Sequence, residues 1–179
     1  MNCLGRTSDD MTETIAWLKH KAHGFNHLSR AELDAISDFS LLWSLFESRI
    51  LNAQGSARAI CDTVDRWRDE GTLDAPMLEP ELAYFRARYF EGGAVTHHFE
   101  HLHLPANALG DMVRAVIDGS KDDDRDRVAA VLIIIFRYRN NLFHGVKWQY
   151  KLAGQLENFT NAISALMKVL DRHGALEEG

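Results

Sequence analysis

The residues of this chain best suited to chemistry lie in the segment 139–145, Arg-Asn-Asn-Leu-Phe-His-Gly. Arg139 carries a permanent charge on a planar group whose paired N–H donors match the oxygens of a phosphate. His144 titrates near neutral pH, so its imidazole can accept or donate a proton. An arginine and a histidine at this spacing predict a site that binds a phosphodiester and reacts with it.

The charge around this segment is opposite to that of the whole chain. The 179 residues carry a formal net charge of -6 at pH 7, yet no acidic residue lies between Asp126 and Glu157. The same interval contains five basic residues, which are Arg127, Arg137, Arg139, Lys147 and Lys151. An anionic substrate would therefore be attracted to this part of an otherwise repelling surface.

The segment from Arg139 to His144 resembles the Arg-x(4–6)-His signature of the HEPN superfamily. The Arg-Asn pair at its start and the His-Gly pair at its end match the common form of that motif. HEPN proteins are small helical bundles, and many are metal-independent endoribonucleases. The resemblance covers residues 29 to 173 as a pattern and only residues 139–145 by residue type. It implies catalytic roles for Arg139, Asn140 and His144, and no cofactor.

The resemblance also implies a reaction and a set of partners. The 2′-hydroxyl of RNA would be the nucleophile, and His144 would take its proton or protonate the leaving 5′-oxygen. Arg139 would stabilise the charge on phosphorus in the transition state. A homodimer with facing motifs would supply a second histidine, so that one serves as acid and the other as base. The family further suggests a prokaryotic toxin or anti-phage defence protein, with a protein antitoxin, nucleotidyltransferase-like or of another kind, as a partner.

Residues near the motif extend the predicted substrate-binding surface. Arg137 lies seven positions before His144 and competes with Arg139 for the phosphate. Asn141 lies within the motif. Lys147, Trp148 and Lys151 follow it, and basic residues mixed with aromatic ones suit phosphate contact and base stacking. Trp148 has an alternative, which is to pack on the bundle.

Glu47 is the predicted acidic member of the site. It lies beside the apolar stripe of a long helix, where it is either an ordinary surface acid or a site residue. HEPN proteins often bring an acidic or polar residue from an early helix towards the Arg/His pair. The resemblance therefore adds Glu47 to the substrate-binding set.

Two alternatives to the enzyme remain open. One is a catalytically silent HEPN module that binds a nucleotide or a protein partner. The other is a metalloprotein, because His97-x-x-Glu100-His101 matches an inverted zinc-protease motif with two histidines on one helical face. The glycine pair 92–93 and Pro105 confine that segment to about two helical turns, and no downstream acidic ligand stands out. A pH-sensitive or partner-binding surface suits these histidines better than a metal site.

Composition limits the class of protein. A chain of 179 residues with 46% apolar residues predicts one globular domain with a core. The two cysteines, Cys3 and Cys61, form neither a disulfide framework nor a CxxC pair, which indicates a reducing cytoplasm. The first ten residues are polar and contain no signal-peptide core. The longest apolar run, 128–136, is far shorter than the ~20 residues that span a bilayer, so no membrane association is expected.

The periodicity of apolar residues predicts an all-α, up-and-down bundle that must position the motif. Helices are predicted over 11–22, about 29–53, 57–70, 81–91, 107–118, about 120–144 and 152–170. Residues 1–28 would be an N-terminal extension and residues from about 55 to 120 a helical insertion. The run 131–136 is β-branched, but it has no strand to pair with, so it is assigned to the central helix. The last helix is marked by apolar residues at heptad spacing, which are Leu152, Leu156, Phe159, Ile163, Leu166 and Leu170.

Overall fold

The chain folds as an all-α helical bundle, as the sequence predicts. The computed structural model describes residues 12–22, 24–143 and 154–176. Within them the architecture consists of eight α-helices and one short hairpin. The helices are α1 (Glu13–Lys21), α2 (Arg30–Arg49), α3 (Ala57–Asp69), α4 (Glu79–Tyr89), α5 (His97–Glu100), α6 (Ala108–Ile117), α7 (Asp124–Phe143) and α8 (Leu156–His173); the hairpin strands are β1 (Phe90–Glu91) and β2 (Ala94–Val95).

Helix α7 is the centre of the bundle. Every residue from 128 to 135 is buried, and eight consecutive residues point in all directions around a helix. Helices α3, α4, α6 and α8 pack against it. The prediction that the β-branched run belongs to a buried central helix is therefore confirmed. The C-terminal part of this helix carries Arg139 and Asn140.

Helices α2 and α8 form the most extensive helix pair of the described residues. Helix α2 begins at a capping box, in which the Ser29 side chain accepts from the Glu32 N–H and the Glu32 carboxylate accepts from the Ser29 N–H. It ends at Arg49 rather than near residue 53, because Asn52 and Ala53 adopt positive φ angles of 50° and 59° and turn the chain.

The residues of α8 at the predicted heptad spacing, here called the heptad seam, pack inside this chain, but not all of them are buried. Phe159 packs on Phe39 of α2 with ring centres 5.1 Å apart, and Leu166 and Leu170 are buried. Leu156 is 37% exposed, and alanine and valine positions complete the buried face instead. Because α2 and α4 already cover the seam, it gives no evidence for a second copy of the chain.

The hairpin is a correction to the predicted helix 81–91. Helix α4 starts at Glu79, since a proline at position 80 fits the first turn of a helix. It stops at Tyr89, and Phe90 then pairs with Val95 across the turn. Gly92 and Gly93 have φ angles of 60° and 82°, which the tight two-residue turn requires at both positions.

The periphery differs from prediction at the first helix. Thr12 caps α1 by accepting a hydrogen bond from the Ile15 N–H. Asp10, whose spacing to Glu13 in the sequence is that of a capping box, lies outside the described residues.

The buried side chains of α3, α4 and α6 join those of α2, α7 and α8 in one hydrophobic cluster. The division of the chain into core helices and an insertion over about 55–120 stays a prediction.

No helix in the described part of the chain is long and apolar enough to cross a membrane.

Candidate functional site

Arg139 lies near the C-terminal end of α7, on the side that faces α2. Its side chain is 27% exposed, and Nη2 lies 3.7 Å from Oε2 of Glu47. Nη1 donates to Oδ1 of Asn140 at 3.2 Å. The guanidinium carbon lies 5.5 Å from the centre of the Phe143 ring, one turn further along the helix. Three neighbours thus orient one planar cation at the end of the central helix.

Glu47 reaches Arg139 from the last turn of α2. Its Oε2 atom accepts a 2.6 Å hydrogen bond from the Trp43 indole N–H, one helical turn earlier. The loop after α2 closes over the other oxygen, and a β-carbon at Gly55 would lie only 2.5 Å from Oε1. The absence of a side chain at position 55 therefore leaves room for this carboxylate. The structure brings Glu47 to Arg139, which is the placement that the family resemblance implies.

The guanidinium keeps donor capacity after these contacts. The 3.7 Å separation from Glu47 is longer than a hydrogen bond, so the pair is held by charge rather than by a bidentate fork. The buried Nε atom has no hydrogen-bond partner among the described residues. An arginine offers five N–H donors, and among the described residues only Nη1 of Arg139 makes a hydrogen bond. Nη2 therefore has the capacity to donate a hydrogen bond to an anion that binds from solvent.

Arg137 and Asn141 lie on a different side of α7. Positions 137 and 139 are about 200° apart around a helix. The Arg137 Nε donates to the Leu102 carbonyl at 2.7 Å, and the Asn141 amide donates to the His101 carbonyl at 3.0 Å. Burial lowers the pKa of Arg137. These two residues hold the turn after α5 against α7, so Arg137 does not share the location of Arg139. Their assignment to substrate binding stays a prediction.

Four predicted site residues lie outside the described residues: His144, Lys147, Trp148 and Lys151. The described part of the candidate site is accordingly Arg139, Asn140 and Glu47. Asn140 is half-buried, and its Oδ1 faces the guanidinium, which leaves its amide N–H groups available as donors.

The predicted histidine cluster forms the short helix α5 and the turn after it. The rings of His97 and His98 lie 3.9 Å apart, and those of His97 and His101 lie 5.9 Å apart. Glu100 lies 3.9 Å from Arg114 of α6. Among the described residues, no group of three or more His, Cys, Asp or Glu side chains is arranged to hold a metal ion.

Sequence reasoning missed two residues that shape the site, Trp43 and Gly55. The spacing of Trp43 and Glu47, one turn apart on α2, was a usable signal, because a buried indole N–H needs an acceptor. Gly55 follows the predicted helix over about 29–53, so in the sequence it indicated only where that helix ends. Comparisons of the chain with family models, curated proteins and solved structures give no match.

Proposed function

We propose that this protein is a HEPN-type, metal-independent endoribonuclease that cleaves RNA by attack of the RNA's own 2′-hydroxyl. One observation carries the proposal. The described residues orient the Arg139 guanidinium without using all of its donors, at a partly exposed position directly before the sequence Asn-Asn-Leu-Phe-His. An arginine that served only the fold would be expected to use its donors within the protein.

The proposed reaction assigns a role to each motif residue. Arg139 binds the phosphodiester and stabilises the additional charge in the transition state. A histidine takes the proton of the 2′-hydroxyl, the O2′–P bond forms, and the P–O5′ bond breaks. The leaving 5′-oxygen receives a proton from a second acid, which gives a 2′,3′-cyclic phosphate and a 5′-hydroxyl. His144 is the proton carrier in this scheme, and the Asn140 amide donates to a phosphate oxygen.

Glu47 acts on this reaction through Arg139. Its carboxylate is anchored by the Trp43 indole and lies close enough to orient the guanidinium by charge. An incoming phosphate competes with that carboxylate for the same cation. The loose 3.7 Å contact lets the guanidinium turn towards the substrate without breaking a tight hydrogen bond. Glu47 is thus a positioning residue.

The proposal includes a homodimer in which two copies of the motif face one cleft. One histidine cannot easily serve as acid and base in the same step, and the second copy supplies the other. The Phe143 ring, which is 57% exposed beside Arg139, offers apolar surface that a second copy would bury. We assign the protein to the cytoplasm, as a toxin or anti-phage defence protein whose activity a protein antitoxin would restrain.

A second candidate is a catalytically silent module of the same fold that binds a nucleotide or a protein partner. The Glu47–Arg139 ion pair favours it, because a purely structural tie between α2 and α7 would use the same two residues. Cleavage of a labelled RNA in excess EDTA separates the candidates. The ribonuclease cleaves the RNA and loses that activity in His144→Ala. The silent module leaves the RNA intact in both proteins.

A further inference from the structure

A groove with a volume of about 870 Å³ lies between α4, the hairpin, α5 and the first turn of α8. Its lining includes Arg88 and Tyr84 from α4 and the adjacent histidines His97 and His98 from α5. None of its lining residues takes part in the Arg139–Glu47 contact. A groove of this size is large enough for a small organic ligand.

Arg88 is a cation without an anionic partner. It is half-buried, and its Nε atom is buried with no hydrogen-bond partner among the described residues. No described carboxylate forms an ion pair with it, whereas Arg86, two positions earlier, pairs with Asp122 at 2.7 Å. Burial raises the pKa of the neighbouring Tyr84, so that phenol stays neutral and does not compensate the charge. A partly desolvated charge of this kind gains from a bound counter-ion.

The charge of His98 should depend on whether an anion is bound in the groove. Burial lowers the pKa of His98, and the charges of Arg88, His97 and His101 lower it further. His98 therefore loses its proton more readily than an ordinary histidine. An anion bound between Arg88 and His98 would reverse that effect, because it favours the protonated ring. Binding would then be accompanied by proton uptake, and affinity would rise as pH falls.

The acidic groups facing the histidines work against an anion. Glu91 from the hairpin and Glu157 from the first turn of α8 both line the groove. These two carboxylates outnumber the one permanent cation, Arg88, so protonation of His98 is needed to offset them. A metal cation, by contrast, would be repelled by Arg88 at any accessible pH, so the histidine cluster suits an anion better than a metal.

We propose that this groove is a binding site for a phosphate-bearing ligand, with Arg88 as the permanent cation, His98 as a protonatable donor and the His97 ring beside it. A phosphate carries up to two negative charges and several acceptor oxygens, which matches one guanidinium and two imidazoles better than a single carboxylate does. The remaining volume accommodates a group of nucleoside size beside the phosphate. The proposal does not depend on the ribonuclease activity.

Isothermal titration calorimetry on the full chain tests this site. Adenosine monophosphate, inorganic phosphate and adenosine are titrated at about pH 5.5 and about pH 8, on either side of the ordinary histidine pKa. The phosphate group itself gains a proton between these two pH values, which opposes binding at the lower pH. We expect protonation of His98 to outweigh that effect, so both phosphate-bearing probes should bind more tightly at the lower pH, while adenosine shows no such dependence. Tighter binding of the nucleotide than of inorganic phosphate would show that the groove also holds the nucleoside. Failure of both phosphate probes to bind at the lower pH would overturn the proposal.

Charge-neutral variants locate the binding. Arg88→Gln should weaken nucleotide affinity at least about tenfold, because it removes a charge-assisted hydrogen bond. Arg114→Gln is the matched control, since it removes the same charge from a residue outside the groove that lies near Glu100. Arg139→Gln tests the other candidate phosphate site, at the end of α7. If affinity falls in Arg139→Gln and not in Arg88→Gln, the ligand occupies the other site and this inference is wrong.

Glu157→Gln is a second test, because its expected result cannot arise from loss of folding, whereas weaker binding by Arg88→Gln could. Removing a carboxylate from the lining should tighten phosphate binding several-fold, and a misfolded protein cannot bind more tightly. The melting temperatures of all variants are measured alongside. Unchanged affinity in both Arg88→Gln and Glu157→Gln would contradict the assignment of the groove.

Discussion

Nη2 of Arg139 lies 3.7 Å from Oε2 of Glu47, so an ion pair joins the C-terminal ends of α7 and α2. Ninety-two positions separate the two residues in the sequence (139 − 47 = 92). The same Glu47 oxygen accepts the indole N–H of Trp43. The carboxylate is therefore fixed on its own helix, and the guanidinium is the freer partner. A substitution at Glu47 therefore changes the surroundings of the Arg139 guanidinium without changing Arg139 itself.

Glu47→Gln should release Arg139 from a competing charge. The amide can still accept from Trp43, so we expect a stability loss of less than about 1 kcal/mol, as for other partly exposed ion pairs. If the protein is a ribonuclease, KM for RNA should fall because the phosphate no longer competes with a carboxylate, and kcat should fall because the guanidinium is less well oriented. Steady-state kinetics measure both. Values of KM and kcat equal to those of the wild type would exclude a positioning role for Glu47.

Gly55→Ala should act through Glu47 alone. The new β-carbon would lie 2.5 Å from Oε1, and that carboxylate cannot move freely because Trp43 holds it. We expect a loss of about 1–3 kcal/mol in the free energy of unfolding, typical of overpacking. In a Glu47→Ala background the same change should cost less than about 0.5 kcal/mol, since the clash is gone. Chemical denaturation of the four proteins measures the difference, and additive losses would show that Gly55 matters for another reason.

The sequence predicted the local features of this fold and missed those that depend on tertiary contact. The capping box at Ser29 and the burial of α7 follow from residues within a few positions of one another, so they were predictable. The hairpin was missed because two-residue strands carry no periodicity, and only the Gly92-Gly93 pair marked it. Arg137 competed with Arg139 for the phosphate in the sequence, although helix periodicity already separates the two positions. Which of them faces α2 depends on how the neighbouring helices pack around α7.

The site was predictable only in part for the same reason. The placement of Glu47 beside Arg139 came from a family resemblance and not from any pattern in the chain. Gly55 gave no signal of its own, because a glycine that ends a helix and a glycine that admits a carboxylate look alike in a sequence. The groove around Arg88 joins residues of α4, α5 and α8, and the absence of a described carboxylate paired with Arg88 appears only when these elements are packed together.

Asp126 should make stability depend on acid pH. Burial alone would raise the pKa of this carboxyl, but hydrogen bonds from Lys121 and Arg125 outweigh burial and lower it below the ordinary value of 3.8. Its contribution is therefore complete above that value and is lost as pH falls through the lowered pKa of the folded state. We expect the melting temperature of the wild type to fall further than that of Asp126→Asn between about pH 5 and about pH 2.5. Asp38→Asn, at an exposed carboxylate that makes no ion pair in the described residues, should decline as the wild type does.

The proposed ribonuclease should be a homodimer, because its acid and base come from two copies of the motif. Light scattering at micromolar concentration measures the mass directly. We expect twice the chain mass of 20.3 kDa. Phe143→Ser should shift the equilibrium towards the monomer if the exposed ring lies in the interface, while Met167→Ser, at another exposed apolar side chain, should not. A single 20.3 kDa species in the wild type would contradict the shared cleft.

Cleavage of a labelled RNA in excess EDTA tests the central claim most directly. We expect the wild type and Arg58→Gln, which changes an exposed arginine far from the motif in sequence, to cleave RNA and to leave DNA of the same sequence intact, because only RNA has the 2′-hydroxyl. His144→Ala should slow cleavage by ~10²–10⁴-fold, the usual contribution of a proton carrier. Arg139→Lys should also be strongly impaired, because a point charge does not reproduce the planar fork. If the wild-type dimer leaves structured and unstructured RNAs intact, as His144→Ala does, the protein is not the proposed ribonuclease.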